Sequence, residues 1–242
     1  MSSYSISTQD QRVPLGSSIV PTLYRSVLEG QGGTLWYREP NVEDARTGFK
    51  DEDLLPYMGT RGCITCVGVY FKIDKLRAFI AHIDAYIRDE LTIRQDTVNE
   101  AEGTQLRLDV TATLALHSLK HNWNPRTVDP GSIILVCPTP QARPYGSLDP
   151  TGEKKTGWWV VDGIREFLSL QQDTMILTQD QGFVLNHDNG SRLMVPYPAG
   201  GCVSQHVKPA ELRECTETVV EGLEKWEFGI DAKQGTLVSG EA

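Results

Sequence analysis

Residues 58–86 read M-G-T-R-G-C-I-T-C-V-G-V-Y-F-K-I-D-K-L-R-A-F-I-A-H-I-D-A-Y, and this stretch decides how the rest of the chain is interpreted. A cysteine preceded by glycine, Cys63, leads into an apolar and β-branched run over residues 64–71. A polar connection over residues 72–75 separates it from a second apolar run over residues 76–83. Two such runs joined by a few polar residues predict an antiparallel β-hairpin. The connection contains no glycine, so the sequence leaves the turn type open.

The hairpin has a consequence for two chemically active residues, Cys63 and His82. In an antiparallel hairpin the start of the first strand lies beside the end of the second. We therefore expect Cys63 and His82 to be neighbours in space, although they are nineteen positions apart in the chain. A thiol beside an imidazole is the minimum set for nucleophilic acyl chemistry, because the thiolate attacks and the imidazole activates it.

Residues around this pair supply candidates for supporting roles. Asp84 is two positions beyond His82 and points to the same face of the strand, so it could orient the imidazole or simply be a polar strand end. Thr60 is a second candidate for orienting the imidazole. Gly62 would let the backbone approach a substrate, so the amides of Gly62 and Cys63 are predicted to bind an oxyanion. Arg61 is a cation that could favour the thiolate.

The pattern resembles a group of cysteine–histidine deamidases. Gly62-Cys63 opens a strand, and the next strand closes with Ala81-His82-Ile83-Asp84. This resembles the chemotaxis receptor deamidase CheD, the cytotoxic necrotizing factor toxins and the protein N-terminal asparagine amidohydrolases. The resemblance implies a Cys63–His82 catalytic dyad that hydrolyses a Gln- or Asn-type carboxamide through a thioester. Its substrate would be a protein, a peptide or a small molecule.

The resemblance covers residues 58–86 and has departures. CheD-like enzymes place a hydroxyl residue a few positions before the cysteine; Thr60 is close to that position and Tyr57 occupies the more distant one. The proline that often follows the CheD histidine is absent, and the His-x-Asp form is closer to the asparagine amidohydrolases. If an amine replaced water, the same thioester would give transglutamination instead of hydrolysis.

Cys63-x-x-Cys66 also permits non-catalytic interpretations. A thioredoxin-like motif needs its cysteines at a helix start, whereas a strand is predicted here. A structural zinc site could combine Cys63, Cys66, Cys202 and His206, although positions i and i+3 of a strand face opposite sides. A non-catalytic ligand-binding module is a further alternative. We favour the catalytic interpretation, with Cys66 in the core, and expect no metal and no cofactor.

His117 and His121 are a second pair with metal-ligand spacing, since positions i and i+4 share one face of a helix. No glutamate completes an H-E-x-x-H motif. The sequence therefore favours a structural role for both histidines.

Composition limits the function classes. The 242 residues carry a formal net charge of −9, which argues against nucleic acid and anionic membrane partners. No apolar run approaches the roughly 20 residues of a membrane helix. The N-terminus lacks the order of a signal peptide, and five scattered cysteines favour a reducing compartment, so we expect a cytoplasmic protein.

The remaining patterns predict one α+β domain over residues 22–230, with a flexible arm at 1–21 and a flexible tail at 231–242. Its core would be a β-sandwich or curved mixed sheet with helices packed outside, as the resemblance implies. The predicted elements are a helix at 105–122 that begins after Gly103, a strand at 132–137, a helix at 158–170, a three-strand meander at 174–179, 183–187 and 192–196, and a helix at 211–226.

Overall fold

A computed structural model describes residues 23–37, 57–88, 94–95, 97–137, 154–170, 176–178, 180–196, 215–231 and 237–239. The predicted N-terminal arm lies outside them. No helix in these ranges is long and apolar enough to cross a membrane.

The elements are β1 Leu23–Ser26, β2 Gln31–Trp36, β3 Tyr57–Arg61, β4 Val67–Lys72, β5 Arg77–Arg88, β6 Arg94–Gln95, β7 Thr97–Val98, α1 Glu100–Lys120, β8 Ile134–Val136, β9 Lys154–Lys155, α2 Thr156–Leu168, β10 Ile176–Thr178, β11 Gly182–Asn186, β12 Arg192–Val195, β13 Thr216–Val219, β14 Glu224–Lys225, β15 Glu227–Asp231 and β16 Leu237–Ser239, with 3-10 turns at Pro125–Thr127 and Pro130–Ser132.

The larger sheet is built around β5. Its main path runs β10-β8-β4-β5-β15-β16, and β2, β14 and β6 attach to the side of that path. The first half of β5 pairs in antiparallel fashion with both β4 and β2, and its second half pairs in parallel with β15. The predicted hairpin is therefore confirmed as β4–β5, but its first strand begins at Val67, so Gly62 and Cys63 do not open it.

The smaller sheet has the order β12-β11-β3-β1-β13. β1 is parallel to both of its neighbours, β3 and β13, whereas β3–β11 and β11–β12 are antiparallel. Met58, Phe183 and Leu185 of this sheet pack in one buried cluster with Tyr70 and Ile80 of the larger sheet. The two sheets thus lie face to face.

The helices cover the other face of the larger sheet. Phe79, Ala81 and Ile83 of β5 pack in a second buried cluster with Leu106 and Val110 of α1. Because successive side chains of a strand point to opposite faces, Ile80, His82 and Asp84 face the smaller sheet. The order of layers is small sheet, large sheet, helices, and the predicted α+β class with a mixed-sheet core is confirmed.

Helix α1 begins earlier than the sequence suggested. Asn99 caps it by accepting hydrogen bonds from the backbone, and Glu102 completes a capping box. Gly103 does not break the helix. A Cβ atom at Gly103 would lie 2.0 Å from Cε2 of Trp159, so glycine is needed there for α1 and α2 to approach each other.

Two predictions of secondary structure are wrong. The predicted helix at 211–226 contains strands instead: the alternating β-branched residues of β13 pair with β1, and Gly222 adopts φ +73° before β14. The predicted meander is divided between the sheets, because β10 pairs with β8 in the larger sheet while β11 and β12 form a hairpin in the smaller one. The predicted tail contains β16, which pairs with β15.

The packing of α1 generates a matched test. Leu114 is fully buried against the larger sheet, whereas Leu116 on the same helix is 69% exposed. We expect Leu114→Ala to lower the free energy of unfolding by about 2–5 kcal/mol, through lost burial and a cavity. Leu116→Ala should change it by less than about 0.5 kcal/mol. Urea unfolding of both variants measures this, and equal losses would contradict the placement of α1.

Candidate functional site

His82 lies in the middle of β5 on the face toward the smaller sheet, and only 1% of its surface is exposed. Its Nδ1 atom lies 2.8 Å from the Thr60 hydroxyl oxygen. That hydroxyl donates its proton to the carbonyl of Val27 at 2.9 Å. A hydroxyl has one proton to donate, so towards His82 it acts as acceptor, and Nδ1 carries the ring proton.

This hydrogen bond determines the state of the other ring nitrogen. Burial lowers the pKa of His82 to about 4, so the imidazole is neutral near pH 7. With the proton on Nδ1, the lone pair is on Nε2. Nε2 is buried and has no hydrogen-bond partner among the described residues. His82 is thus arranged as a base whose free lone pair points into the interior.

Cys63 lies just before the hairpin, in the bend that joins β3 to β4, and is fully buried. Gly62 precedes it with φ +78°, a conformation that glycine tolerates best. The Cys63 N–H donates to the carbonyl of Gln181 at 2.9 Å. The prediction that this amide binds an oxyanion is therefore wrong, because the amide is already paired within the fold.

A glycine makes room for these side chains to meet. Gly68 of β4 is paired with His82, and residues directly opposite each other in an antiparallel pair project to the same face. A Cβ atom at Gly68 would lie 2.9 Å from Cγ2 of Thr60 and 3.1 Å from the sulfur of Cys63. The side chains of Thr60 and Cys63 therefore lie beside Gly68, directly opposite His82, and the Cys63–His82 dyad stays a prediction.

The arrangement of Cys63 and His82 differs from the expected hydrogen-bonded dyad. Nδ1 of His82 is bonded to Thr60 and Nε2 has no partner, so no hydrogen bond joins the imidazole to the Cys63 sulfur. Burial raises the pKa of the Cys63 thiol. The expected activation by Arg61 is not supported, since its guanidinium pairs with Glu217 at 3.0 Å. The resting site holds a neutral thiol and a neutral imidazole.

Asp84 faces the same side as His82 but contacts a different group. Its Oδ1 atom lies 3.4 Å from the sulfur of Cys66, and Oε1 of Glu29 lies 3.7 Å from the same sulfur. Of the two candidates for orienting the imidazole, the structure supports Thr60 and not Asp84. Cys66 is buried, as expected, but among carboxylates and not in an apolar cluster.

Glu29, Cys66 and Asp84 are also the residues next to the site that could hold a metal. One ligand atom from each lies within 4.8 Å of the other two. The zinc set considered from the sequence shares only Cys66 with this group, and its Cys202 and His206 lie outside the described residues.

Three contributors to the site were missed by the sequence analysis. The carbonyl of Val27 and that of Gln181 act through the backbone, which carries no residue-type signal. Glu29 lies just before the glycine-rich run Gly30-Gln31-Gly32-Gly33. A charged residue next to such a run indicates only a solvated turn.

Comparison with protein-family models and with characterised proteins finds no match to this chain.

The buried imidazole predicts acid sensitivity. Since the pKa of His82 is about 4 in the folded protein and 6.5 is its usual value, the unfolded chain takes up this proton first as the pH falls. The resulting loss of stability begins below pH 6.5 and is complete below pH 4, at about 3 kcal/mol. Urea unfolding of wild type and His82→Gln across this pH range gives the slope of the free energy of unfolding against pH. For His82→Gln that slope should correspond to about one proton fewer taken up on unfolding than for wild type. An unchanged pH slope would contradict a buried neutral imidazole.

Proposed function

We propose that the protein is a cysteine-dependent amidohydrolase that removes ammonia from a Gln- or Asn-type carboxamide. The observation that carries this proposal is the Thr60–His82 hydrogen bond, which leaves the Nε2 lone pair free on the face where Cys63 lies. A base with a determined tautomer beside a thiol is the arrangement that thioester chemistry requires.

The first step would be general-base catalysis and not attack by a preformed thiolate. Because burial raises the pKa of Cys63 and lowers that of His82, separated charges are unfavourable in the resting site. His82 Nε2 takes the thiol proton as sulfur bonds to the carboxamide carbon, and the carbonyl oxygen becomes an oxyanion. The Gly62 amide is the remaining candidate from the sequence for stabilising that oxyanion.

Collapse of this intermediate breaks the carbon–nitrogen bond. Protonated His82 gives its proton to the departing nitrogen, so ammonia leaves and an acyl thioester remains on Cys63. His82 then removes a proton from water as the water oxygen attacks the thioester. The carboxylic acid leaves, and the proton returns to the Cys63 sulfur. An amine in place of water would give transglutamination by the same route.

The environment of Cys63 bears on access and compartment. Cys63 and His82 are 0% and 1% exposed, so a substrate reaches them only when the structure opens locally. Cys63, Cys66 and Cys137 are free thiols, which suits a reducing compartment such as the cytoplasm. The substrate would be a carboxamide on a protein, a peptide or a small molecule.

Replacing the nucleophile tests the reaction. Cys63→Ala and Cys63→Ser should each lower ammonia release by at least about 10³-fold. Alanine has no nucleophilic atom, and the serine hydroxyl is a much weaker nucleophile than a thiol near neutral pH. Cys215→Ala is the matched control, since Cys215 is a buried thiol in a separate cluster with Tyr24 and Val184. The assay is a panel of Gln and Asn peptides and free carboxamides.

Retained activity in Cys63→Ala would overturn the mechanism. The mechanism would also be overturned if the wild-type protein releases no ammonia from the panel of carboxamides and carries no acyl adduct on Cys63 after acid quenching. Formation of a substituted amide with added amines, in place of the acid product, would shift the assignment to transglutamination.

Thr60 is proposed as a positioning residue, and its role has a direct spectroscopic readout. Nitrogen NMR at pH 7 should show His82 with a protonated Nδ1 and an unprotonated Nε2. Thr60→Val removes the acceptor, so the proton should redistribute between the nitrogens and turnover should fall by about 10²-fold. Thr60→Ser keeps the hydroxyl and should restore both the tautomer and the rate. Wild-type tautomer in Thr60→Val would contradict this role.

A further inference from the structure

A second cluster lies on the helix-covered face of the larger sheet, opposite the Cys63 site. Nδ1 of His117 lies 2.7 Å from Oε2 of Glu224, and Nε2 of His121 lies 3.0 Å from Oε1 of the same carboxylate. His117 lies in the last turn of α1, His121 caps the C-terminal end of that helix, and Glu224 belongs to β14. One ligand atom from each residue lies within 4.8 Å of the other two.

The orientation of His117 is determined by its surroundings. Its Nε2 atom is 2.9 Å from the Thr34 hydroxyl on β2. The ring makes edge contacts with Phe79, Trp123 and Trp226, at centroid distances of 5.3, 6.3 and 5.6 Å. Metal-binding histidines commonly have their second ring nitrogen held in this way by an outer hydrogen bond, which sets the tautomer and the ring plane.

We propose that His117, His121 and Glu224 form a binding site for a divalent transition metal, with Zn²⁺ as the best fit. Two imidazoles and one carboxylate are ligands that zinc prefers, and three protein ligands leave a fourth position for water. His121 and Glu224 are 31% and 33% exposed, so solvent can reach that position. The site is independent of the proposed amidohydrolase activity.

The ligand atoms are close to the spacing that a metal needs. Tetrahedral ligands about 2.1 Å from zinc are separated from each other by about 3.4 Å. The observed separations of 2.7 and 3.0 Å are those of hydrogen bonds, so the carboxylate has to move outward by well under 1 Å. On binding, neutral His117 changes tautomer, so that Nδ1 is free to bind the metal and the ring proton is on Nε2. There the N–H donates a hydrogen bond to the Thr34 hydroxyl.

Lys120 is the competing partner of Glu224. Its ammonium lies 2.7 Å from Oε1 of Glu224, and its side chain is 67% exposed, so it can turn into solvent when a metal binds. Removal of the Lys120 cation therefore has opposite effects on a purely structural ion-pair network and on a metal site. Removing this cation weakens an ion-pair network, whereas it removes a competitor from a metal site.

Titration of chelator-treated, full-length protein with Zn²⁺ by calorimetry tests the site. We expect binding of one ion that raises Tm. His121→Gln and Glu224→Gln, both at positions about one-third exposed, should weaken the affinity at least tenfold, and Lys120→Ala should tighten it. Thr34→Val should weaken it by about tenfold through the outer hydrogen bond to His117.

Cysteine sites are the main source of ambiguity, and Co²⁺ absorption distinguishes them. Binding at the proposed site should give visible bands without the near-ultraviolet thiolate band, and Cys66→Ala should leave the affinity unchanged. The proposal is overturned if no stoichiometric ion binds, if His121→Gln and Glu224→Gln bind as wild type does, or if Cys66→Ala abolishes binding.

Discussion

Burial of β5 on both faces is the constraint on which the rest of the structure depends. This twelve-residue strand packs against helices on one side and against the smaller sheet on the other. Its neighbours must then come very close: a Cβ atom at Gly32 of β2 would lie 2.3 Å from the Cβ of Ala81. Polar residues on such a strand need partners within the fold, because water cannot reach them. The chemistry at His82 follows from that requirement.

The hydrogen bond from His82 to Thr60 meets this requirement for Nδ1, while Nε2 has no partner among the described residues. The same bond joins the two sheets, since Thr60 belongs to β3 of the smaller one. The same dry environment that requires the bond also suppresses charge, so the thiol and the imidazole are both neutral at rest. A general-base route, in which the proton moves as sulfur attacks, suits such a site better than a standing ion pair. The neutral carboxamide that we propose as substrate fits such a site, because a charged group would be costly to bring into it.

The two candidate sites use opposite faces of one sheet and differ in their access to water. Cys63 and His82 are enclosed between the sheets, whereas the His117–His121–Glu224 cluster lies where the end of α1 meets β2 and the short strand β14 at its side. The enclosed position favours proton transfer between neutral groups. The edge position favours charged groups and, in our proposal, an ion that keeps a water ligand.

Local patterns in the sequence determined a large part of this protein. Alternation and β-branching in residues 58–86 determined the β4–β5 hairpin, and the spacing of Leu106, Val110 and Leu114 determined the buried face of α1. The nearness of Cys63 and His82 also follows from local chain geometry. The helix predicted at 211–226 is wrong, because the apolar spacing there is compatible with a helix while the pairing of β13 with β1, nearly two hundred residues away, selects strand.

Only the tertiary structure decided which groups complete each site. Thr60 reaches His82 from another sheet, Glu29 reaches Cys66 from the turn after β1, and Glu224 reaches His117 over a separation of 107 residues. The burial that shifts both the thiol and the imidazole towards neutrality is likewise a property of the packed layers. The physical reason is that hydrogen bonds and desolvation depend on distance in space, which sequence spacing specifies within one helix or hairpin but not between them.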